Sequence, residues 1–306
     1  NEYSRVENFR VFQDPAIQTI HEPGSIFKPI TMAAALDAGK ITPATSYVDK
    51  GVVDIGRRRI TNYGQRIWGE RSMTEVLEFS INTGAVFAEQ QLGHENFLRY
   101  LKKFGIFEPT KIDLAGEVFS TNAEFQKGYE INFATASFGQ GIEMTPMQVL
   151  KAFLTIANNG VPVDPFIAEQ VISRDGTVSQ ANQAPGAKKP IISPKTVSDL
   201  TAMLVSVVQN GFAKSADIPG YYVAGKTGTA EISWSALGIA RSGYSDQTVQ
   251  SFIGYAPAFN PRFIILVKLD NPQTKTAEYS ATPIFRDLAK YILDYYQIPP
   301  DYEVEE

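Results

Sequence analysis

The sequence predicts an α+β fold, in which an all-helical subdomain is followed by an antiparallel sheet backed by helices. Two observations predict this class. Helix-boundary signals fill the first half of the chain, whereas strand-like segments in the second half are joined by short turns rather than crossover helices, which is typical of antiparallel pairing. The chain has 306 residues, 43% of them hydrophobic, and this length suffices for one large domain or two smaller ones.

Signals for helix ends predict the helices in order along the chain. Ser72 and Glu75 form a capping-box pattern, and glycines follow several apolar stretches as helix stops. A threonine or serine followed by proline marks later helix starts, because proline is tolerated at the first helical position. The predicted helices are 28–38, 72–79, 84–92, 95–104 and those beginning at Pro146, Pro194 and Pro283, the last with Ile284, Phe285, Leu288, Tyr291 and Ile292 facing the core.

Strand-like segments concentrate in the second half of the chain. Asp175-Gly176 is a hairpin-turn signal, and Asn260-Pro261 is a turn between the last two long strands. The predicted strands are 167–173 with a short return strand, 221–232, 250–255 and 262–269. Residues 179–189 read as a loop, and the acidic tail after Pro300 is expected to fray.

We expect one domain over residues 1–306, with a helical subdomain at 30–160 and a sheet-rich part at 161–300. The net charge is −5, and an acidic chain is a poor candidate for nucleic-acid binding, which needs a basic field. The basic run 57–59 lies between strand-like segments and is expected to be solvated surface. The chain has no cysteine, which excludes a disulfide scaffold, a thiolate zinc site and a cysteine nucleophile.

No apolar run approaches the ~18 residues that cross a bilayer, and no secretion signal opens the chain. Any anchor is therefore expected to lie outside this sequence. The chain has two histidines, His21 and His94, which are too few and too isolated for a metal site, so both are interpreted as structural or surface residues. No metal or cofactor is expected.

The first candidate motif places a serine and a lysine three residues apart at a predicted helix start. Ser25 and Lys28 follow Pro23-Gly24, which ends an irregular segment, and their spacing puts both side chains on one helix face. A serine hydroxyl needs a neighbouring base, and a lysine serves as one only if burial or positive charge lowers its pKa. Alone, the pattern also fits an N-cap serine and a surface lysine.

The second motif is a polar-apolar-polar break between two predicted helices. Ser80 and Asn82 fit a simple inter-helix turn with Asn82 as a cap. They also fit a functional interpretation, in which Ser80 relays protons and Asn82 offers one acceptor and two donors to a peptide backbone.

The third motif, Lys226-Thr227-Gly228-Thr229, ends a strand-like segment. Gly225 and Gly228 are interpreted as positions without side chains where another backbone approaches closely. A competing interpretation is a phosphate loop, because residues 220–227 fit G-x-x-x-x-G-K-[ST]. A phosphate loop needs a preceding strand and a following helix, whereas here Pro219 precedes and Gly228 follows. The residues inside the loop also prefer a strand, so nucleotide binding is disfavoured.

Together the motifs carry far more weight than any one alone. They occur in the order S-x-x-K, S-x-N, K-T-G, with 55 residues from Ser25 to Ser80 and 146 from Ser80 to Lys226. This arrangement resembles the penicillin-binding protein and serine β-lactamase superfamily, and within it the transpeptidase domain of class B penicillin-binding proteins. The division and sporulation branch is resembled more than the elongation branch. The supporting segments are 22–29, 79–84, 138–148 and 224–231, within a resemblance that spans 12–296.

The resemblance implies acyl transfer on a peptidoglycan stem peptide that ends in D-Ala-D-Ala. The implied catalytic residues are Ser25 as nucleophile, Lys28 as general base, Ser80 as proton relay and Lys226 as a charge that adjusts the local field. The implied substrate-binding residues are Asn82, Thr227, Gly228 and Thr229, and the implied oxyanion hole is formed by the backbone N–H groups of Ser25 and Thr229.

The resemblance also implies partners and a location. A β-lactam would enter as a substrate mimic and remain as a slowly hydrolysed ester. A membrane glycosyltransferase and division proteins are expected as partners, and nucleic acid is not. The expected location is the extracytoplasmic face of the bacterial membrane, with an anchor outside this chain.

One departure concerns the sheet. In this family two strands normally precede the S-x-x-K serine by several tens of residues, whereas 24 residues precede Ser25 here and 6–12 offers at most one short strand. Either upstream chain is missing or the sheet is smaller than usual. The anchor and pedestal domain of class B proteins are also not in this sequence.

Competing functions share the acylation apparatus. A serine β-lactamase needs a dedicated deacylating base, and no E-x-x-x-N helix of the class A kind lies in an appropriate place. A D,D-carboxypeptidase differs only in using water as acceptor, and the sequence separates it poorly. A non-turnover β-lactam sensor or division scaffold is a different class. The complete motifs disfavour an inactive scaffold but leave a sensor open.

Overall fold

The structure, a computed structural model, describes residues 9–180 and 188–304. It confirms the predicted α+β class, with most helices before residue 160 and the largest antiparallel sheet after residue 220. The α-helices are α1 Pro15–Gln18, α2 Lys28–Asp37, α3 Met73–Glu78, α4 Asn82–Leu92, α5 His94–Lys103, α6 Ala123–Gln126, α7 Glu130–Ala136, α8 Pro146–Ala157, α9 Pro194–Gln209 and α10 Ala281–Tyr295.

The strands form one three-stranded sheet and several two-stranded ribbons in the described residues. All pairings between them are antiparallel, as the short connections predict. The strands are β1 Ser46–Asp49, β2 Val52–Ile55, β3 Arg58–Thr61, β4 Gly69–Ser72, β5 Gln170–Ile172, β6 Val178–Gln180, β7 Ala224–Ser233, β8 Tyr244–Ala256 and β9 Phe263–Asp270.

The three-stranded sheet has the order β7-β8-β9. Its central strand begins at Tyr244, several residues before the predicted start at residue 250. Residues 244–249 are mostly polar, so they lack the apolar run that marks a buried strand. Their partners on β7 reach Ser233, which extends the β7–β8 ribbon well beyond the third motif.

Helix caps lie at the predicted Ser72, Thr145 and Ser193, whereas the predicted start at Thr282-Pro283 is wrong, because α10 begins at Ala281 after Ser280. Ser72 accepts a hydrogen bond from the Glu75 backbone N–H, and the Glu75 carboxylate accepts one from the Ser72 backbone N–H. A second capping box opens α8 at Thr145 with Gln148. These caps fix where α3 and α8 begin, because they satisfy N–H groups that the helices themselves leave free.

The core is continuous from the helical half to the sheet. Helix α2 lies at its centre, buried on all sides from Lys28 to Leu36, and it packs against α4, α5 and α9. Helix α9 also covers β7, and α10 packs on β8 and β9. The third motif on β7 and the first motif at the start of α2 are thereby held by elements of one core.

The predicted inward face of α10 is wrong at most positions. Phe285 is buried, whereas Ile284, Leu288 and Tyr291 are 41%, 45% and 65% exposed. The residues that face the sheet recur at every fourth position, and they are Ala281, Phe285, Ala289 and Leu293. Two of these are alanines. The larger apolar residues lie on the outer face, so a prediction based on the helical spacing of large apolar residues selects the wrong face.

Terminal and loop predictions had mixed outcomes. The hairpin at Asp175-Gly176 forms, as β5 and β6. Residues 9–12 form a 3-10 turn rather than a strand, and 6–8 lie outside the described residues, as do 181–187 of the predicted loop. The tail is not frayed at Asp301, since its backbone N–H donates to the Gly220 carbonyl at 2.8 Å.

No helix in the described ranges is long and apolar enough to cross a membrane.

Candidate active site

The nucleophile candidate lies on a short turn that leads into the central helix. Gly24–Phe27 is a 3-10 turn, and α2 begins directly after it at Lys28. A 3-10 turn brings residues three apart into line, so Lys28 Nζ lies 3.0 Å from Ser25 Oγ. Ser25 is half-buried, while the Lys28 side chain has no exposed surface.

The second motif lies against this lysine. Ser80 occupies the turn between α3 and α4 with a φ of +54°, a left-handed conformation that is uncommon for a non-glycine residue. Asn82 is the first residue of α4. Lys28 Nζ is 2.6 Å from the Ser80 carbonyl oxygen, 3.1 Å from Ser80 Oγ and 2.8 Å from Asn82 Oδ1.

The third motif completes the cluster from the sheet. Lys226 Nζ lies 3.0 Å from Ser80 Oγ and 3.0 Å from the Thr227 carbonyl oxygen. At Gly228 an added Cβ would come within 2.9 Å of Ile26 and 2.5 Å of Ser251 Oγ. The missing side chain therefore lets β7 pack directly against the turn that carries Ser25. The sequence predicted that another backbone approaches Gly228. The nearest atoms are instead side-chain atoms of Ser251 and Ile26, and the backbone oxygen of Pro23 lies further away.

Among the described residues, the Thr229 side chain is hydrogen-bonded to the segment before α10. Its Oγ1 accepts from the Ala277 backbone N–H at 3.3 Å, which leaves the hydroxyl proton available to a ligand oxygen. The structure thus connects the side chains of six predicted residues in one cluster: Ser25, Lys28, Ser80, Asn82, Lys226 and Thr227. Thr229 lies two residues further along β7.

The two lysines share a buried environment that disfavours positive charge. Burial lowers the pKa of Lys28 well below its usual value, and the charge of Lys226 lowers it further. Burial also lowers the pKa of Lys226 to about 7. Because burial and the charge of Lys226 both act on Lys28, whereas burial alone acts on Lys226, Lys28 is the lysine whose neutral form this site favours.

The acceptors around Lys28 determine how a neutral amine is oriented there. The Ser80 carbonyl oxygen and Asn82 Oδ1 can only accept, so they take the two N–H groups of the amine. Its single lone pair is then left to accept from one hydroxyl group, and the Ser25 hydroxyl, with Oγ at 3.0 Å, is within reach of it. This orientation is the one that a general base for Ser25 requires.

A buried polar network that sequence reasoning missed supports the second motif. Asp49, at the end of β1, is 2% exposed, and its carboxylate accepts from Thr83 Oγ1 at 2.6 Å and Asn62 Nδ2 at 2.9 Å. Asn62 Oδ1 accepts from the Thr83 backbone N–H, and the Thr61 carbonyl oxygen accepts from Asn82 Nδ2 at 3.0 Å. No spacing rule connects these distant positions, because the ribbons β1–β4 and β2–β3 bring them together.

The remaining candidates lie apart from this cluster. His21 is half-buried, the partial burial lowers the pKa of its imidazole to about 3, and its backbone pairs with Met144. His94 Nδ1 lies 2.7 Å from Glu89 Oε1. Within the described ranges no three potential ligand side chains could hold a metal ion. The phosphate-loop interpretation of 220–227 is wrong, because β7 starts at Ala224 and continues to Ser233 with no helix after the lysine.

A family model now places the chain among known proteins. The model described as the penicillin binding protein transpeptidase domain matches residues 1–290. The chain belongs to this family. The resemblance drawn from the three motifs is thereby confirmed.

Curated relatives agree with the family and with the expected branch. The chain is 33% identical over 303 residues to penicillin-binding protein PbpB of Mycolicibacterium smegmatis, covering 95% of this chain and 46% of that protein. It is 34% identical over 259 residues to stage V sporulation protein D of Bacillus subtilis, covering 84% of this chain and 39% of that protein. The chain therefore spans less than half the length of these two relatives.

Solved structures share the fold. Penicillin-binding protein 3 of Mycobacterium tuberculosis in complex with ampicillin superposes with a TM-score of 0.84 at 28% identity, covering 96% of this chain and 66% of that one. The transpeptidase domain of penicillin-binding protein 3 from Burkholderia pseudomallei gives 0.81 at 26% identity, covering 96% and 85%. The fold seen here is that of the family.

Proposed function

We propose that this chain is the transpeptidase domain of a peptidoglycan D,D-transpeptidase that cross-links stem peptides through a serine ester. The observation that carries the proposal is the fully buried Lys28 side chain, whose Nζ lies 3.0 Å from Ser25 Oγ and contacts two acceptors on the second motif. Membership of the transpeptidase family supports the same reaction. The relative from Mesostigma viride named as a peptidoglycan D,D-transpeptidase homologue is 29% identical.

The first half of the reaction acylates the enzyme. Lys28 takes the proton of Ser25, and Oγ forms a bond to the penultimate D-Ala carbonyl carbon. The backbone N–H groups of Ser25 and Thr229 hold the oxyanion, a contribution on the order of 3 kcal/mol per donor. The carbonyl then re-forms, the C–N bond breaks, and the leaving D-Ala amine takes a proton from Lys28 through Ser80.

The second half releases the product. The amine of a neighbouring stem peptide loses a proton through the same relay and attacks the ester carbonyl. Its C–N bond forms, the bond to Ser25 Oγ breaks, and the serine recovers its proton from Lys28. Lys226, hydrogen-bonded to Ser80 at 3.0 Å, keeps positive charge next to the relay.

Substrate binding follows from the groups left free around the cluster. Asn82 Nδ2 uses one N–H on Thr61, and its second N–H is available for a backbone carbonyl of the stem peptide. The hydroxyls of Thr227 and Thr229, with the charge of Lys226 and the bare backbone at Gly228, suit the terminal carboxylate of the donor. A β-lactam carries an acyl group and a carboxylate in a similar relation, so it acylates Ser25 as a substrate mimic.

We further propose the cellular setting that the family suggests. The domain would act at the extracytoplasmic face of the cell membrane on peptidoglycan donor and acceptor peptides, anchored through sequence outside this chain. A membrane glycosyltransferase and division proteins are the proposed protein partners.

The geometry favours slow rather than fast deacylation. A β-lactamase needs a carboxylate or other base that activates water beside the ester. In residues 9–180 and 188–304, no carboxylate is hydrogen-bonded to Ser25, Lys28 or Ser80. Glu22, three residues before the nucleophile, is bound instead to Gly141 and Tyr244.

Labelling with a fluorescent penicillin tests the proposal. We expect the protein to acquire one covalent label that persists over hours and is absent from the Ser25→Ala variant. Fast loss of the label would indicate a β-lactamase, and no label would overturn the acyl-enzyme reaction. Turnover of a stem-peptide donor, with and without an amine acceptor, then separates a transpeptidase from a carboxypeptidase and from a sensor that does not turn over.

A further inference from the structure

The carboxylate of Glu22 joins separate parts of the chain next to the nucleophile. Its Oε1 accepts from the Gly141 backbone N–H at 3.0 Å, and its Oε2 accepts from the Tyr244 hydroxyl at 3.0 Å. Glu22 belongs to the segment that enters the Ser25 turn, and Tyr244 is the first residue of β8. Burial raises the pKa of Glu22, while both hydrogen bonds oppose this rise.

The turn that contains Gly141 is itself packed on the residue before Ser25. The Gly24 backbone N–H donates to the Gly139 carbonyl oxygen at 3.0 Å. A Cβ on Gly139 would overlap the Gly24 backbone, so only glycine allows this approach. Through its hydrogen bond to Gly141, Glu22 thus holds the turn at 139–141 that packs against the segment carrying Ser25.

Tyr244 connects the same carboxylate to the strand of the third motif. It pairs with Ser233, in the stretch of the β7–β8 ribbon that continues past Thr229. Closer to the motif, a Cβ on Gly24 would come within 2.8 Å of the Ala230 Cβ. The ribbon therefore touches the Ser25 segment at Ala230 by packing and at Tyr244 by a hydrogen bond to Glu22.

We propose that Glu22 and Tyr244 are positioning residues for acylation, which hold the β7–β8 ribbon against the Ser25 turn and so fix the spacing of the two oxyanion-hole N–H groups. Those groups, on Ser25 and Thr229, come from different elements, and the proposed oxyanion hole forms only if the turn and the strand keep their relative position. The inference rests on the proposed acyl-enzyme reaction. Neither side chain is assigned contact with the reacting atoms.

The test separates binding of a β-lactam from the acylation step that follows. Stopped-flow kinetics with a chromogenic cephalosporin give the dissociation constant of the initial complex and the rate constant of acylation for wild type, Glu22→Gln, Tyr244→Phe and the double variant. Tyr129→Phe and Glu169→Gln, at exposed positions, are matched controls for the same chemical changes. Thermal unfolding of each variant reports on folding.

We expect each single variant to lower the acylation rate constant about tenfold, with the dissociation constant changed less than about twofold. The double variant should be no slower than the slower single variant, because both changes break one connection. An unchanged acylation rate constant in Tyr244→Phe, or a double variant whose effects multiply, would overturn the inference. If wild type itself forms no ester, the proposed function fails instead, so the two failures are distinguishable.

Discussion

At the scale of single residues, the site depends on two lysines that are buried close together. Lys28 and Lys226 have no exposed surface, and each contacts Ser80 Oγ, at 3.1 Å and 3.0 Å. Two ammonium groups cannot be accommodated easily in such a place, so the pair favours one charged and one neutral member. In the proposed mechanism the neutral member, Lys28, is the base, and the charged member, Lys226, attracts the carboxylate of the substrate.

This division of charge predicts a bell-shaped pH dependence of acylation. The rate constant should rise with pH as Lys28 loses its proton, at a pH well below the usual lysine range. It should fall again around pH 7 as Lys226, whose pKa is about 7, loses the charge that attracts the ligand carboxylate. Acylation rate constants measured from pH 4 to 10 with a β-lactam check this.

The Lys226→Arg variant identifies the falling limb, because a guanidinium keeps its charge over this range. We expect a lower rate constant but no fall above pH 7. A wild-type rate constant that climbs steadily to pH 10 would contradict the assignment of charges.

At the scale of elements, the turn around Gly139 shows how one backbone contact supports the nucleophile. Gly139 has a φ of +82° and meets the backbone of Gly24. Residues 138–148 support the family resemblance in the sequence, but nothing in that segment indicates the contact with Gly24. Its partner residue lies more than a hundred positions earlier, and periodicity and capping rules describe only neighbours along the chain.

We predict that Gly139→Ala destabilises the protein and disturbs Ser25. A left-handed backbone conformation costs alanine about 1–2 kcal/mol. The added Cβ would also overlap the Gly24 backbone, so the segment that carries Ser25 must shift, which costs further stability. We expect a loss of unfolding free energy beyond 2 kcal/mol and at least tenfold slower penicillin labelling. Urea unfolding and labelling rates provide the measurements.

Gly128→Ala is the matched control, since Gly128 has a φ of +74° and no atom within 4 Å of an added Cβ. It should show the conformational cost alone and label at the wild-type rate. Equal stability and labelling of the two variants would show that the Gly24 contact is unimportant.

At the scale of the whole molecule, one core holds the helical half and the sheet together. Phe252 on β8 and Phe285 on α10 lie with ring centroids 4.6 Å apart, and both are fully buried. The opposite face of α10 carries Leu288, which is 45% exposed. Apolar residues occupy more than one face of α10, so the sequence alone can suggest the wrong face as the buried one. Packing against the sheet determines which face is buried.

Truncation of the two α10 residues should therefore have unequal effects. We predict that Phe285→Ala lowers the free energy of unfolding by about 3–5 kcal/mol, because it leaves a cavity between α10 and the sheet. Leu288→Ala should lower it by less than about 1 kcal/mol. Urea denaturation at one pH measures both, and equal losses would contradict the assignment of the buried face.

The sequence by itself determined the fold class, the helix caps at Ser72 and Thr145, and the order of the three motifs. These features are encoded by neighbouring residues, whose backbone hydrogen bonds and side-chain periodicity act locally. It also identified the family, because three short motifs in a fixed order rarely occur together by chance.

Only the tertiary structure decided which groups surround Ser25 and how strongly the two lysines are buried. The pKa values of Lys28 and Lys226 depend on burial and on each other, and both conditions arise when α2, the Ser80 turn and β7 pack together. The support from Asp49, Asn62 and Glu22 is equally non-local. Desolvation and hydrogen bonding between distant segments are properties of the packed molecule, so no pattern along the chain contains them.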